Sequence, residues 1–265
     1  MRAVKLLLAA SVIFASFFVE AQTATWRQVS AQGTWTNTVF ASATNGTLFT
    51  IEQSGKLYKT DPVTAVWSQI SATSYANTVL MFAGGKNVFT IEKDGTLYRT
   101  NPESGDWVLL GNTVEWAKTI AGVAVYGYLY TVKANGILYA TNVNTGIWHQ
   151  VGKAEFGNTK FLFDANGKLY SIEKDGSLYE MSQSDGSRKK TGANGAWVKT
   201  IVGATMNGKL YTIENDGSLF ETDLSSGIRQ QIGVSTWGNT RFMVAVKGKL
   251  YFIEASGALH EATLN

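Results

Sequence analysis

"TIEKDGTLYRT", residues 90–100, reads as a β-hairpin: a strand ending at Glu92, a tight turn through Asp94-Gly95 and a second strand from Leu97. The same phrase returns as "TIEQSGKLYKT" at 50–60, "TVKANGILYAT" at 131–141, "SIEKDGSLYEM" at 171–181, "TIENDGSLFET" at 212–222 and "FIEASGALHEA" at 252–262. The turn glycines Gly55, Gly95, Gly136, Gly176, Gly217 and Gly257 are spaced by 40, 41, 40, 41 and 40 residues. A period of about 40 belongs to propellers and to helical arrays. The repeat lacks the i, i+3, i+4 pattern of helices. It consists of short Leu, Tyr, Ile, Phe and Thr runs between Gly-, Asn- and Asp-rich turns, and this is strand periodicity.

Each repeat divides into four strands. The first follows an aromatic-x-Asn/Lys-Thr signature, seen at Trp35-Asn37-Thr38, Tyr75-Asn77-Thr78, Trp116-Lys118-Thr119, Phe156-Asn158-Thr159, Trp197-Lys199-Thr200 and Trp237-Asn239-Thr240. Asn45-Gly46, Asn166-Gly167 and Asn207-Gly208 then signal a two-residue hairpin. The second and third strands are those of the opening phrase, and the fourth begins at a tryptophan in Trp67, Trp107 and Trp148. The sixth unit stops after its third strand, whereas "ATWRQVS" at 24–30 is a fourth strand with no preceding three. The two ragged ends complete one another. The expectation is an all-β, six-bladed propeller of four-stranded antiparallel blades, closed by the N-terminal strand, which removes the open edge of the array.

Residues 1–21 read as a signal peptide, with Arg2 and Lys5 ahead of an apolar run from Leu6 to Val19 and Val19-Glu20-Ala21 before a cut. At about 14 residues the run is short for a membrane span, which needs roughly 20. The expected domains are therefore a signal peptide at 1–21 and a single propeller at 22–265, secreted or periplasmic. No later stretch is apolar enough to span a bilayer. The net charge of +3 is too small to imply nucleic acid or an acidic membrane surface. Without cysteine there is neither disulfide nor thiol chemistry, and the core alone must hold the chain.

The turn between strands two and three shares a ring face with the link into the next first strand. That places Glu52, Glu92, Glu173, Glu214 and Glu254 beside the signature residues Trp35, Asn37, Tyr75, Asn77, Phe156, Asn158, Trp197, Trp237 and Asn239. Unit three carries Lys133 instead of the Glu. A carboxylate, an amide and an aromatic plane suit a sugar, since they exchange hydrogen bonds with hydroxyls and cover the C–H face of a pyranose. Several weak sites on one ring would gain avidity on a glycan surface. Read structurally, the same residues are turn fillers, inter-blade wedges and ion-pair partners, because every copy solves the same packing problem. The innermost strands "VFASA", "VLMFA", "IAGVA", "KFLFD", "IVGAT" and "RFMVA" hold one acid, Asp164, and the two histidines, His149 and His260, lie outside them. Neither a triad, a metal site nor a cofactor motif is supported, and no catalytic residue is expected.

On its motifs the chain resembles the tectonin and tachylectin-2-like propeller lectins. The shared elements run through Gly167–Glu173, Asp175–Tyr179 and Trp148–Gly152. The resemblance implies a non-enzymatic, multivalent carbohydrate-binding protein with glycan partners. The departures are Phe49, Phe89, Tyr130, Tyr170, Tyr211 and Tyr251 in place of a family tryptophan, and Arg188 and Arg229 in place of the outer-strand one. An exported scaffold that binds protein without sugar is the alternative, and a hydrolase or lyase at the channel mouth a more distant one.

Overall fold

A computed structural model describes residues 24–111 and 114–264. The signal peptide expected at 1–21 lies outside the described residues. Six four-stranded antiparallel sheets follow one another around a ring. Blade 1 is Thr38–Thr44, Thr47–Glu52, Leu57–Thr60 and Trp67–Gln69, from the central channel outward. Blades 2 to 5 repeat this over 78–110, 119–151, 159–191 and 200–232. Blade 6 takes Thr240–Val246, Lys249–Glu254 and Leu259–Leu264 from the end of the chain and Ala24–Gln28 from its start. The register Ala24↔Leu264 through Gln28↔His260 is the closure that the ragged ends predict.

The second strands show why the repeat is apolar on both faces. Leu48, Phe49, Thr50 and Ile51 are all buried, because each blade is covered on either side by its neighbours. The core is accordingly divided among the blade interfaces. One apolar cluster joins Phe49, Ile51 and Leu57 of blade 1 to Tyr75, Met81 and Val88 of blade 2. Another joins Trp35 and Leu48 of blade 1 to Val244, Tyr251 and Ile253 of blade 6, and seals the ring.

The opening phrase recurs because its turn holds the next blade. The Gly55 carbonyl accepts from the Tyr75 amide at 2.7 Å, and the same bond runs from Trp116 to Gly95, Phe156 to Gly136, Trp197 to Gly176, Trp237 to Gly217 and Trp35 to Gly257, at 2.9–3.1 Å. Every blade junction carries one such bond. All six glycines have positive φ, between 74° and 87°, and the neighbouring blade's backbone passes close above them. Only glycine meets both demands without strain.

Closure is also electrostatic. Glu261 is buried and accepts from Lys249 at 2.7 Å, Tyr251 at 2.8 Å and Arg27 of the N-terminal strand at 3.0 Å. Burial opposes the charged carboxylate, but these three donors outweigh it and hold its pKa down to about 2. A carboxyl with a depressed native pKa stabilises the fold above its unfolded value, near 4.5, and the contribution is lost as the pH falls towards 2. Its size is about 2 kcal/mol once solvent screening of the exposed Arg27 and Lys249 is discounted. The expected result is that Glu261→Gln melts lower than wild type at pH 7 and that the gap closes at pH 2–3. A gap unchanged across that window would remove Glu261 from the closure.

Candidate functional site

Each inner strand carries a one-residue bulge just after its first threonine, so that Thr38 lies opposite Glu52 and Phe40 opposite Ile51. The same shift recurs in the other five blades. The bulge brings the signature threonine under the carboxylate at the end of the second strand. Thr38 Oγ1 donates to Glu52 at 2.8 Å, Thr78 to Glu92 at 2.8 Å and Thr159 to Glu173 at 3.1 Å. In blade 3, where Lys133 replaces the acid, Thr119 turns to the Trp116 carbonyl at 2.6 Å. Burial pushes the Glu52, Glu92 and Glu173 carboxyls above their usual range, against the lowering effect of these hydrogen bonds.

The aromatic member of the expected sugar site is not available. Trp35, Phe156 and Trp197 are fully buried, and Tyr75 and Trp237 nearly so. A ring without an open face cannot cover a pyranose, and these five residues are inter-blade wedges. The amide member acts through its backbone: the Asn37, Asn77, Asn158 and Asn239 carbonyls accept from Gln53, Lys93, Lys174 and Ala255 at 2.7–2.9 Å, while the side chains are exposed. Glu52, Glu173 and Glu214 are buried, and only Glu92 and Glu254 of the series are partly open.

Another set does converge at each hairpin: the Glu, the aromatic of the third strand and the first residue of the outer strand. Its members differ from blade to blade. In blade 5, Arg229 reaches Glu214 at 2.6 Å, and its guanidinium carbon lies 3.8 Å from the Phe220 ring centre. In blade 4, Arg188 lies 3.9 Å from Glu173 and 4.9 Å from the Tyr179 ring centre. In blade 3, the Lys133 ammonium lies 4.6 Å over Tyr139 and 5.9 Å from Trp148. In blade 6, His260 lies 3.7 Å from Glu254, and Trp26 packs on Trp237 at 4.3 Å between ring centres. Blade 1 packs Trp67 on Tyr58 at 4.4 Å with the ring planes tilted by 41°, and Arg241 donates to the carbonyls of Thr36 and of Thr38, the residue whose hydroxyl donates to Glu52. Blade 2 packs Trp107 on Tyr98 at 4.1 Å with the ring planes tilted by 48°, and opens a cavity of about 330 Å³ lined by Tyr75, Glu92, Asp94, Tyr98 and Trp107 among others. These outer-strand positions are absent from the expected site. Their signal in the sequence was the departure of Arg188 and Arg229 from tryptophan.

The channel mouth holds a cavity of about 560 Å³ lined by the inner strands, with Asp164 as its one carboxylate. Asp164 accepts from the Gly167 amide at 2.9 Å and so caps its own turn, while burial raises its pKa. Small and apolar residues such as Ala41, Ala83, Gly122, Ala204 and Val244 make up much of the remainder. Among the described residues, no group of three or more His, Asp or Glu could hold a metal, and no helix is long and apolar enough to cross a membrane.

The outer strands divide the ring in two. Trp26, Trp67, Trp107, Val108, Leu109 and Trp148 are all exposed on the outer strands of blades 6, 1, 2 and 3. The outer strands of blades 4 and 5 read "RKKT" and "RQQI", with Ile232 buried. The exposed apolar side chains of the outer strands thus lie on an arc of four consecutive blades, and the outer strands of the other two form a polar arc, with Ile228 and Val234 exposed in the loops that flank the last of them.

The family described as outer membrane protein assembly factor BamB matches residues 18–231. No curated protein matches the chain. Among solved structures, a streptogramin B lyase aligns over 91% of this chain and 98% of its own, at TM-score 0.63 and 9% identity. A protein of unknown function from Bacteroides thetaiotaomicron aligns over 92% and 76%, at TM-score 0.67 and 13% identity. BamB from Moraxella catarrhalis aligns over 84% of both chains, at TM-score 0.50 and 14% identity. These likenesses show the fold. The family match overturns the expected kinship with tectonin and tachylectin-2-like lectins, and with it the reading as a carbohydrate-binding lectin. The motifs behind that reading are strand and turn residues that a four-stranded blade needs for packing, whichever propeller family it serves.

Proposed function

The chain belongs to the family described as outer membrane protein assembly factor BamB, and from that premise we propose that it is an exported, periplasmic scaffold that docks a protein partner in outer-membrane protein assembly. The observation that carries this reading is the apolar arc on the outer strands of blades 6, 1, 2 and 3. Large exposed apolar patches rimmed by polar residues mark interaction surfaces, and Trp is enriched at their energetic centres. The fourth strand of every blade also presents an unpaired edge to which an extended segment of a partner can add. The channel offers an enzyme little by comparison: one carboxylate, already engaged in its own turn, and no partner for it.

A photo-crosslinking amino acid placed at Val108 or Ile147, both exposed, tests the reading in the producing cell. The expected result is a discrete crosslinked protein from these two positions, and none from Lys189 or Gln230 on the polar arc. Loss of that adduct in a Trp67→Ala/Trp148→Ala variant is expected as well. Equal yields from both arcs, or no protein adduct at either apolar position, would overturn the proposal.

A further inference from the structure

Three of the six hairpin pockets are occupied by a cation of the chain itself. Arg229 and Arg188 lie against a carboxylate and a third-strand aromatic in blades 5 and 4, and Lys133 lies over Tyr139 and Trp148 in blade 3. The chemistry is the same each time: a positive charge over an aromatic face, joined by a carboxylate where the residue is arginine. In blade 1 Glu52 is buried, and Arg241 donates to the Thr36 and Thr38 carbonyls and lies by the Phe242 ring; in blade 6 His260 stands in place of the third-strand aromatic, 3.7 Å from Glu254. Blade 2 keeps the whole receptor and lacks the occupant. Glu92 stands at the end of its second strand, Tyr98 on its third and Trp107 at the start of its fourth, around a cavity of about 330 Å³. That volume is at the low end for a ligand pocket. Glu92 Oε1 accepts from Thr78, and the charged neighbour acting on the carboxylate is a second acid, Asp94, which lines the same cavity. Lys93 also lines it, as an exposed side chain.

We propose that the blade-2 pocket of Glu92, Tyr98 and Trp107 receives the guanidinium of an arginine presented by a protein partner. Arginine is chosen over lysine by the chain's own usage, since both pockets that pair an outer-strand cation with the hairpin Glu use arginine. The planar fork of arginine matches a carboxylate and stacks on an aromatic ring, and a lysine does only part of this. Trp107 lies within the apolar arc, so the pocket adds a charged anchor to an otherwise apolar surface. That the arginine belongs to a protein rests on the scaffold reading, whereas the affinity of the pocket for a guanidinium does not.

The two are separated by using a short capped peptide, Gly-Ser-Arg-Ser-Gly, and its citrulline counterpart, which keeps the shape and loses the charge. Titration of the full chain, followed by calorimetry or by chemical shifts of labelled tryptophan, is expected to give at least tenfold weaker binding for citrulline. Glu92→Gln is expected to weaken the arginine peptide about tenfold with little change in melting temperature, because the Gln still accepts from Thr78. Trp107→Arg places in blade 2 the residue found in blades 4 and 5. It is expected to abolish peptide binding while the melting temperature holds or rises, since the pocket then fills itself. Equal binding of the two peptides, no binding at millimolar concentration, or full binding by Trp107→Arg would each overturn the assignment. Crosslinking from Ile147 that persists in Trp107→Arg alongside any of these results would leave the scaffold standing and remove only the pocket.

Discussion

Removal of residues 22–30 is expected to lower the melting temperature by about 10–20 °C and to make the chain associate with itself. The strand Ala24–Gln28 pairs along its whole length with Leu259–Leu264, and Val29 adds a further backbone bond to the Leu259 carbonyl at 2.7 Å. Trp26 covers Trp237 at 4.3 Å and Phe252 at 5.8 Å. Arg27 leaves Glu261 one donor short when it goes. A few net hydrogen bonds at about 1 kcal/mol each, together with about 2 kcal/mol for the half-buried tryptophan, come to roughly 5 kcal/mol. In a domain of this size 1 kcal/mol corresponds to about 2–4 °C. The exposed third strand of blade 6 then offers an open edge to another copy, and concentration-dependent association should follow. Calorimetry and light scattering on the truncated chain check both parts. A monomer melting within about 2 °C of the intact protein would show that the ring is held by the contacts between blades alone.

The fold was legible because its rule is local and repeated six times. Gly95 and its counterparts fix the turns, the short apolar runs on either side of them in "TIEKDGTLYRT" fix the strands, and the unfinished sixth unit matches the orphan strand at residue 24. Each of these is a statement about neighbours in the chain or about a count, and a sequence contains both. The candidate site was less legible because it depends on which face of an aromatic ring is free. Trp35 and Trp107 are the same residue type in neighbouring repeats, yet one is sealed between blades and the other is 42% exposed. Residue type alone does not distinguish them. The difference follows from position in the ring: the first-strand signature meets the previous blade, and the outer strand meets solvent.

The bulge after Thr38 was also hidden. Without it the threonine would not stand across from Glu52, and the carboxylate series could be read as a set of free acceptors. With it, Glu52, Glu92 and Glu173 each accept from a threonine of their own blade. The kinship with lectins failed for a related reason. Motifs such as Asp175–Tyr179 are shaped by packing, and packing is common to propellers with different partners. The informative residues were those that broke the repeat: Lys133, Arg188 and Arg229, each a cation set against an aromatic ring.

Gly176→Ala is expected to destabilise the protein by about 2–5 kcal/mol, against about 1–2 kcal/mol for Gly85→Ala. Both glycines have positive φ, 77° and 55°, and an alanine costs about 1–2 kcal/mol there for the left-handed backbone alone. Their surroundings differ. A Cβ at Gly176 would press on the Val198 backbone nitrogen and lie 2.7 Å from its Cα and 2.8 Å from its Cβ, whereas at Gly85 nothing lies within 4 Å. Val198 belongs to the link into the next blade, one residue past Trp197, whose amide donates to the Gly176 carbonyl at 3.1 Å. The added methyl must push the two blades apart or break that bond, and overpacking of this kind costs about 1–3 kcal/mol more. The difference between the variants, read by urea denaturation, isolates the inter-blade contact from the backbone strain that they share. Equal losses would mean that the hairpin glycines serve only their own turns. A larger loss in Gly176→Ala would tie the repeated phrase to the joining of one blade to the next, which is also what would keep the Glu92 pocket and the apolar arc in fixed positions around the ring.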